Sequence, residues 1–518
     1  MNTLSSEFQP FDLRKDSGMI QHLPMPRCAV AFCLFAAFLL GNAFAQTVTV
    51  DKSLATTDTT HFKSLRAAIM SFDWVSSTTT GFNAGNAEPN VINITGFGPY
   101  DEDIPMLYTS ASFTADYKCK LDAADVTITL QGSGIKPLLL VRFISYDQSG
   151  IAVLNSAAYV IRNTVIAPSP TEPPTGRLVH CLGTGIIDIQ DSTLCCLPVA
   201  STAYTSIADL PAGVLDGTLA FNDSYVSCVT PGATTGMAAQ ASGLGTVRFT
   251  NSCITQFGVA ATAGVSLCAF QSGTIRLNEG TILRNNTGGI YTRHNDATNK
   301  SRLIISGQKN NRVIIGKNNP WGNGWLDLRL FSQVDISQCN FIGEPTGYAV
   351  SVGTNGATLG SLKISECIFA EGNPATTTSA IRVAGVPATL ALDNLTILNQ
   401  GLGVYYSGTA AASINIIDSI IAGCTYGLAG AAAFNVAYCA LPDSGASANT
   451  NTSRGDATLN LGNTIYDDPM FTSEVFGTTG FAHVTNLSYS GKASTSRVLD
   501  GGGTADSINA AKREWALY

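Results

Sequence analysis

Charge is scarce in this chain. Asp, Glu, Lys and Arg make up 13% of its 518 residues, about half the share usual in soluble domains. Helical bundles build their solvent faces from such residues, so the shortage argues against one. Positive charge is the scarcer sign: 29 Lys and Arg stand against 37 Asp and Glu, a net charge of −8. Nucleic-acid binding needs clustered cations to displace counterions, so a nucleic-acid partner is not expected. No CxxC occurs, and the only adjacent cysteines are Cys195 and Cys196. Thiolate zinc sites have no template here, and neither a metal nor another cofactor is expected. Also missing is an apolar run of bilayer-spanning length, which takes about 20 residues.

The longest apolar run, residues 28–40, has 13 residues and follows Arg27. Gly41-Asn42-Ala43-Phe44-Ala45 comes next, with small residues at 43 and 45. A charged flank, a short apolar stretch and a small-x-small site describe a secretory signal peptide, with cleavage expected between Ala45 and Gln46. Met25 begins a signal of ordinary length, so it is an alternative start. The mature chain is then expected to be secreted or displayed at the cell surface, without a transmembrane segment.

Glycine is abundant, at 50 residues, and a repeat organises it. The apolar residues Ile161, Ile189, Phe221, Phe249, Leu277, Ile305, Ile336, Ile364, Leu392, Ile416 and Val436 follow one another at 28, 32, 28, 28, 28, 31, 28, 28, 24 and 20 residues. Two residues before each stands another apolar residue, as in Tyr159, Val334 and Leu362. This period of two marks strands with one face inside. Two residues after the reference come Asn163, Asp191, Asp223, Asn251, Glu279, Gln338, Glu366, Asn394 and Asp418. Asn and Asp tolerate the left-handed backbone of a sharp bend. A mostly small residue follows, and then a second short apolar strand and a Gly-, Thr- or Ala-rich return.

A unit that buries one strand face cannot fold alone, but stacked units close a common core. The expected fold is therefore all-β: a single-stranded parallel β-helix, or solenoid, with rungs over residues 126–441. Ten steps of about 4.8 Å give a rod on the order of 50 Å long. A leucine-rich repeat is excluded, because a helix and several leucines per repeat are missing. Residues 46–125 are read as an N-terminal cap with first strands, and residues 442–518 as a C-terminal cap and tail. Phe62, Leu65, Ile69 and Phe72 would line one face of a capping helix. Of thirteen cysteines, eleven lie outside the signal. Several occupy inward positions as small apolar fillers, with a few disulfides as the alternative that export permits.

Ser64-Leu65-Arg66-Ala67-Ala68-Ile69, rungs such as Ser361-Leu362-Lys363-Ile364-Ser365-Glu366-Cys367-Ile368-Phe369, and the tail Asp468-Pro469-Met470-Phe471 with Asp500-Gly501-Gly502 resemble bacterial secreted β-helix proteins of the pectate-lyase-like superfamily. The resemblance covers most of residues 47–503 and implies a right-handed coil. It also implies two chemistries to look for: calcium-assisted polysaccharide lysis, and hydrolysis by clustered aspartates. The outward residues of the main strand, from Asp188 to Asn415, place no two carboxylates side by side. Asp335 beside Lys363 reads as a cross-strand ion pair, and Asp101-Glu102-Asp103 as a solvated turn. Gly-His-Gly and Arg-x-Lys motifs of the hydrolases are missing.

The better candidate is a break in the repeat. The rung at Ile305 has Gln308 and Asn310 where the small residue and second strand are expected. Around it lie Tyr291, Arg293, His294, Asp296, Trp321 and Trp325, including two of four tryptophans. Aromatic faces stack on sugar rings, and Arg, His and Asn fix hydroxyl or carboxylate groups. Arg293 and Trp321, 28 residues apart, would sit on neighbouring turns of one face. Packing of the tryptophans onto the rod is the alternative. The expected function is binding or presentation to extracellular polysaccharide, without an identifiable catalytic centre. A polysaccharide lyase or glycoside hydrolase with an atypical site, and a purely structural surface protein, are the alternatives. An autotransporter passenger is disfavoured, since too few residues follow the rungs to form a membrane barrel.

Overall fold

The computed structural model describes residues 47–466 apart from parts of the connecting loops, chiefly 72–89, 109–117, 121–126, 143–148, 197–207, 210–216, 229–237, 258–264, 293–300, 317–323, 354–359 and several shorter stretches. The expected signal peptide, Phe72 and the tail from 467 lie outside these residues. The described chain is a parallel β-solenoid of three sheets with 16, 12 and 14 strands, here called A, B and C. Each typical rung contributes one strand to A, one to B and one to C before climbing to the next.

Sheet A carries the sequence repeat residue for residue. Ile161 pairs with Ile189, and the ladder continues through Phe221, Phe249, Leu277, Ile305, Ile336, Ile364, Leu392 and Ile416 to Val436. These side chains are at most 1% exposed. Full burial of such a side chain is worth about 1.5–3 kcal/mol, and the stacked column repeats that gain at every rung. Phe221 and Phe249 lie ring on ring with centroids 4.6 Å apart, and Phe341 and Phe369 do so at 4.5 Å. The column runs further than the repeat alone indicated. Val48, Ile92 and Leu130 precede it and Leu461 follows it, so strands on both sides of residues 126–441 belong to the same sheets.

The bend after sheet A has its physical basis in two residues. Asn163, Asp191, Asp223, Asn251, Gln338, Glu366, Asn394 and Asp418 all have φ between 46° and 54°. At Glu279 the left-handed position falls instead on the next residue, Gly280, with φ 68°. The small residue that follows the bend carries hydrogen bonds into the turning backbone. Ser192 Oγ donates to Gln190 O at 2.7 Å, Ser224 Oγ to Asn222 O at 2.7 Å and Ser252 Oγ to Thr250 O at 2.8 Å. In return Ser192 N donates to Ser224 Oγ at 3.3 Å and Ser224 N to Ser252 Oγ at 3.1 Å. Cys367 and Cys439 take the same place, with Sγ donating to Ser365 O at 3.1 Å and Ala437 O at 3.2 Å.

Eight described cysteines are free, six of them buried. Burial pushes the thiols of Cys181, Cys367 and Cys439 up to about 12, where they are protonated and inert. The filler reading holds for these positions.

Several expectations change. The return is not plain loop: it holds the strands of sheet C, such as Tyr348–Val352 and Ser379–Val383. The rung at Ile305 keeps its second strand, Val313–Gly316. A tight turn, closed by Gln308 and Asn311 bonding to each other's backbone at 3.1 and 3.0 Å, displaces it down the chain. Asp101-Glu102-Asp103 is not a solvated turn. Tyr100–Glu102 is a strand of sheet B, Asp101 pairs with Arg142 at 2.8 Å and Asp103 pairs with Arg66. Glu102 accepts Ser64 Oγ at 2.6 Å and Arg66 N at 2.8 Å, a carboxylate at the exposed N–H groups of a helix start. That helix, Leu65–Met70, buries Leu65, Ala68 and Ile69, whereas Phe62 belongs to a short strand, His61–Phe62. Lastly, Asp335 and Lys363 are register partners without an ion pair; Gln333 Nε2 donates to Asp335 at 2.8 Å instead. No helix among the described residues is long and apolar enough to cross a membrane.

Candidate functional site on the outer face of sheet C

Strand alternation sets what sheet C shows to the outside. Ile290, Leu326, Val350, Val352, Ile381, Val383 and Val404 point into the core. The residues between or beside them must therefore point out. Register stacks these outward residues into one column: Cys268, Tyr291, Asp327, Ser351, Arg382 and Tyr405. From Tyr291 to Tyr405 the column takes four steps of about 4.8 Å, or roughly 19 Å along the rod.

The outward face is not simply solvent-exposed. Asp327 is 6% exposed and Ser351 only 1%, while Tyr291, Arg382 and Tyr405 are half-buried. Ser351 Oγ makes no hydrogen bond in the structure. A buried hydroxyl without a partner costs about 1–3 kcal/mol, and such a group calls for an explanation. Arg382 is held at two points. Its Nε donates to Ser407 Oγ at 2.8 Å, and its guanidinium lies 4.7 Å from the ring centre of Tyr348. A cation over an aromatic ring gains about 0.5–2 kcal/mol, and the two contacts fix a side chain that would otherwise be mobile. Tyr291 rests against the buried Cys268.

The column thus interleaves phenol rings with a carboxylate, a hydroxyl and a fixed guanidinium. Rings stack on the C–H faces of sugars, and the polar groups take hydroxyl or acidic substituents. Asp327 is the carboxylate of this stretch, and the same register continues through Gln240 to Asp209. Glycoside hydrolysis ordinarily uses a pair. No cluster of three metal-ligating side chains occurs among the described residues.

Of the six residues singled out in the sequence, Tyr291 lies in this column. Arg293, His294, Asp296 and Trp321 lie outside the described residues, and so does the expected pairing of Arg293 with Trp321. Trp325 is corrected: it is fully buried within the interior cluster and presents no face to a ligand. Its backbone explains the placement. Trp325 N donates to Tyr348 O at 3.0 Å and its carbonyl accepts from Ile290 N at 2.8 Å, which seats it in the sheet C ladder where the indole fills the core. The approach is so close that a Cβ on Gly289 would come within 1.8 Å of Trp325 O. Asp327, Ser351, Tyr348, Arg382 and Tyr405 escaped the sequence reading. Their signal is the alternation Val350-Ser351-Val352 and Ile381-Arg382-Val383, a polar residue between two β-branched ones inside the presumed return.

The chain matches no family model, no curated protein and no solved structure.

Proposed function

We propose that this protein is an exported, right-handed parallel β-helix of pectate-lyase-like type that binds extracellular polysaccharide along the outer column of sheet C. In this reading the helix Leu65–Met70 covers the first rungs, and the product of signal cleavage begins at Gln46. The observation that carries the functional part is the Tyr291–Asp327–Ser351–Arg382–Tyr405 column, where an anchored arginine and an unbonded hydroxyl sit between phenol rings. A rod suits a polymer, because successive rungs offer contacts at a fixed interval.

The test is a panel of acidic and neutral polysaccharides offered to the mature protein, scored for binding and for new reducing or unsaturated ends. Retention on at least one polysaccharide without new ends is the expected result. New ends would make it an enzyme, and no retention on any member would leave a structural element. Intact mass of the secreted product checks the cleavage site: a chain still beginning at Met1 or Met25 contradicts export by this signal.

A further inference from the structure

Sheet A ends differently at its two edges. At its start stands the two-residue strand His61–Phe62, and so short an edge offers little for another chain to pair with. At its end stands Thr458–Gly462, five residues without the charge or proline that commonly blocks an edge. Among the described residues this strand pairs only with Ala433–Ala437. Thr458 N donates to Ala432 O at 3.0 Å and Tyr438 N to Gly462 O at 2.9 Å, so the N–H and C=O groups of Thr458, Asn460 and Gly462 face the preceding rung. Those of Leu459 and Leu461 then face the open edge. Their side chains continue the interior rows, yet Leu461 is 42% exposed where its register partner Val436 is 1% exposed. Leu459 is half-buried, whereas its partner Phe434 is fully buried.

We infer that this edge pairs with the same strand of a second copy, antiparallel about a two-fold axis through Asn460, and joins two rods end to end. The sequence Thr458-Leu459-Asn460-Leu461-Gly462 points to a copy of itself. Leu459-Asn460-Leu461 reads alike in both directions, and a two-fold contact needs a surface complementary to itself. Centred on Asn460, Leu459 lies opposite Leu461 of the second copy. The two exchange the backbone bonds that face away from their own rungs, and the axis repeats the exchange. The same pairing sets these leucines side by side on the inner face and covers the exposed Leu461. On the outer face Asn460 meets its counterpart. Asn460 Nδ2 donates to Asn435 Oδ1 and Asn435 Nδ2 to Asn415 Oδ1, both at 2.8 Å, so the amide ladder continues across the junction as stacked Asn rows do. The strand carries no charge, and no like charges meet at the axis.

Sedimentation of the full chain tests this. The wild type should dimerise, and Leu461→Pro should weaken the dimer at least about tenfold, because it removes an N–H that points out of the sheet and none that holds the rung. Its far-ultraviolet spectrum should match the wild type. A wild type that stays monomeric at every concentration overturns the inference; a melting temperature lowered by Leu461→Pro in that monomer would assign the edge to another stretch of the same chain. Cross-linking tests the register without relying on the proline variant. Asn460→Cys sets two thiols at a non-hydrogen-bonded antiparallel pair, with Cα atoms about 4.5 Å apart, within reach of a disulfide. Oxidised glutathione should convert it to a covalent dimer. Thr458→Cys should give none, since its two copies would stand about 13 Å apart along the strands. No covalent dimer from Asn460→Cys, or as much from Thr458→Cys, contradicts the pairing.

Discussion

The outer faces of sheets A and C are built by the same alternation yet behave differently. On sheet A many outward polar groups bond one another, although Arg248 Nε is unbonded. Asn460 Nδ2 donates to Asn435 Oδ1 and Asn435 Nδ2 to Asn415 Oδ1, both at 2.8 Å. Asp188 accepts from Gln190 and Asn222, both at 2.7 Å. On sheet C the outward Ser351 and Asp327 are deeply buried, at 1% and 6% exposure, and Ser351 Oγ is unbonded. A face whose polar groups close on each other has little left for a ligand. A face that keeps a buried hydroxyl unbonded beside an anchored arginine holds interactions in reserve, which is why the binding reading rests on sheet C.

The strongest way to break the comparison is through the core both faces share. Ile364→Asp should cost more than about 4 kcal/mol, because it buries an unpaired charge in an apolar column. Its exposed neighbour Lys363→Ala should stay within about 0.5 kcal/mol. Equal denaturant midpoints for the two variants would refute the inward and outward assignment. Trp325→Ala comes next, at about 3–5 kcal/mol for a large side chain removed from a packed interior. A loss under about 1 kcal/mol would return Trp325 to the surface and to the list of ligand contacts.

These two residues also mark how far the sequence could be read. Ile364 belongs to sheet A, where spacing near 28 residues, period-two alternation and a bend residue at a fixed offset all coincide, so the register came out residue for residue. Sheet C lacks that redundancy. Its strands are separated from those of sheet B by connections of changing length, and several carry Ala or Gly where an apolar marker would stand, as in Ala239–Ala241 and Leu402–Tyr406. Tryptophan in a Gly- and Asn-rich stretch reads as a surface aromatic, and only the ladder bonds of Trp325 reveal it as core. A second row of left-handed residues, including Gln256, Asn285, Glu371 and Asn399 with φ from 55° to 65°, closes the sheet B strands. The row is hard to read because Gln256 and Glu371, which are weak bend signals, interrupt Asn285 and Asn399.

A smaller effect concerns pH on sheet A. Burial holds the Asp393 carboxyl above its ordinary value of 3.8, with the Lys363 charge opposing the shift. A raised folded-state value means that ionisation favours the unfolded chain. The contribution is fully present below the unfolded value and is lost as pH rises through the folded one. Asp393→Asn should therefore be the more stable protein at pH 7, and the gap should close below about pH 3.8. A wild type more stable than the variant at pH 7 would contradict this.

The most direct test of the account sets one face against the other in a single titration. A polysaccharide retained by the wild type is titrated against Arg382→Ala and Ser351→Ala on sheet C and Arg276→Ala on sheet A, each with its melting curve. Arg382→Ala should weaken binding at least about tenfold, equivalent to about 1.4 kcal/mol. Ser351→Ala should weaken binding while leaving stability unchanged or slightly raised, because it removes an unbonded buried hydroxyl. Arg276→Ala should bind as the wild type does. Normal binding by both sheet C variants, or a loss confined to Arg276→Ala, would contradict the placement of the site on sheet C.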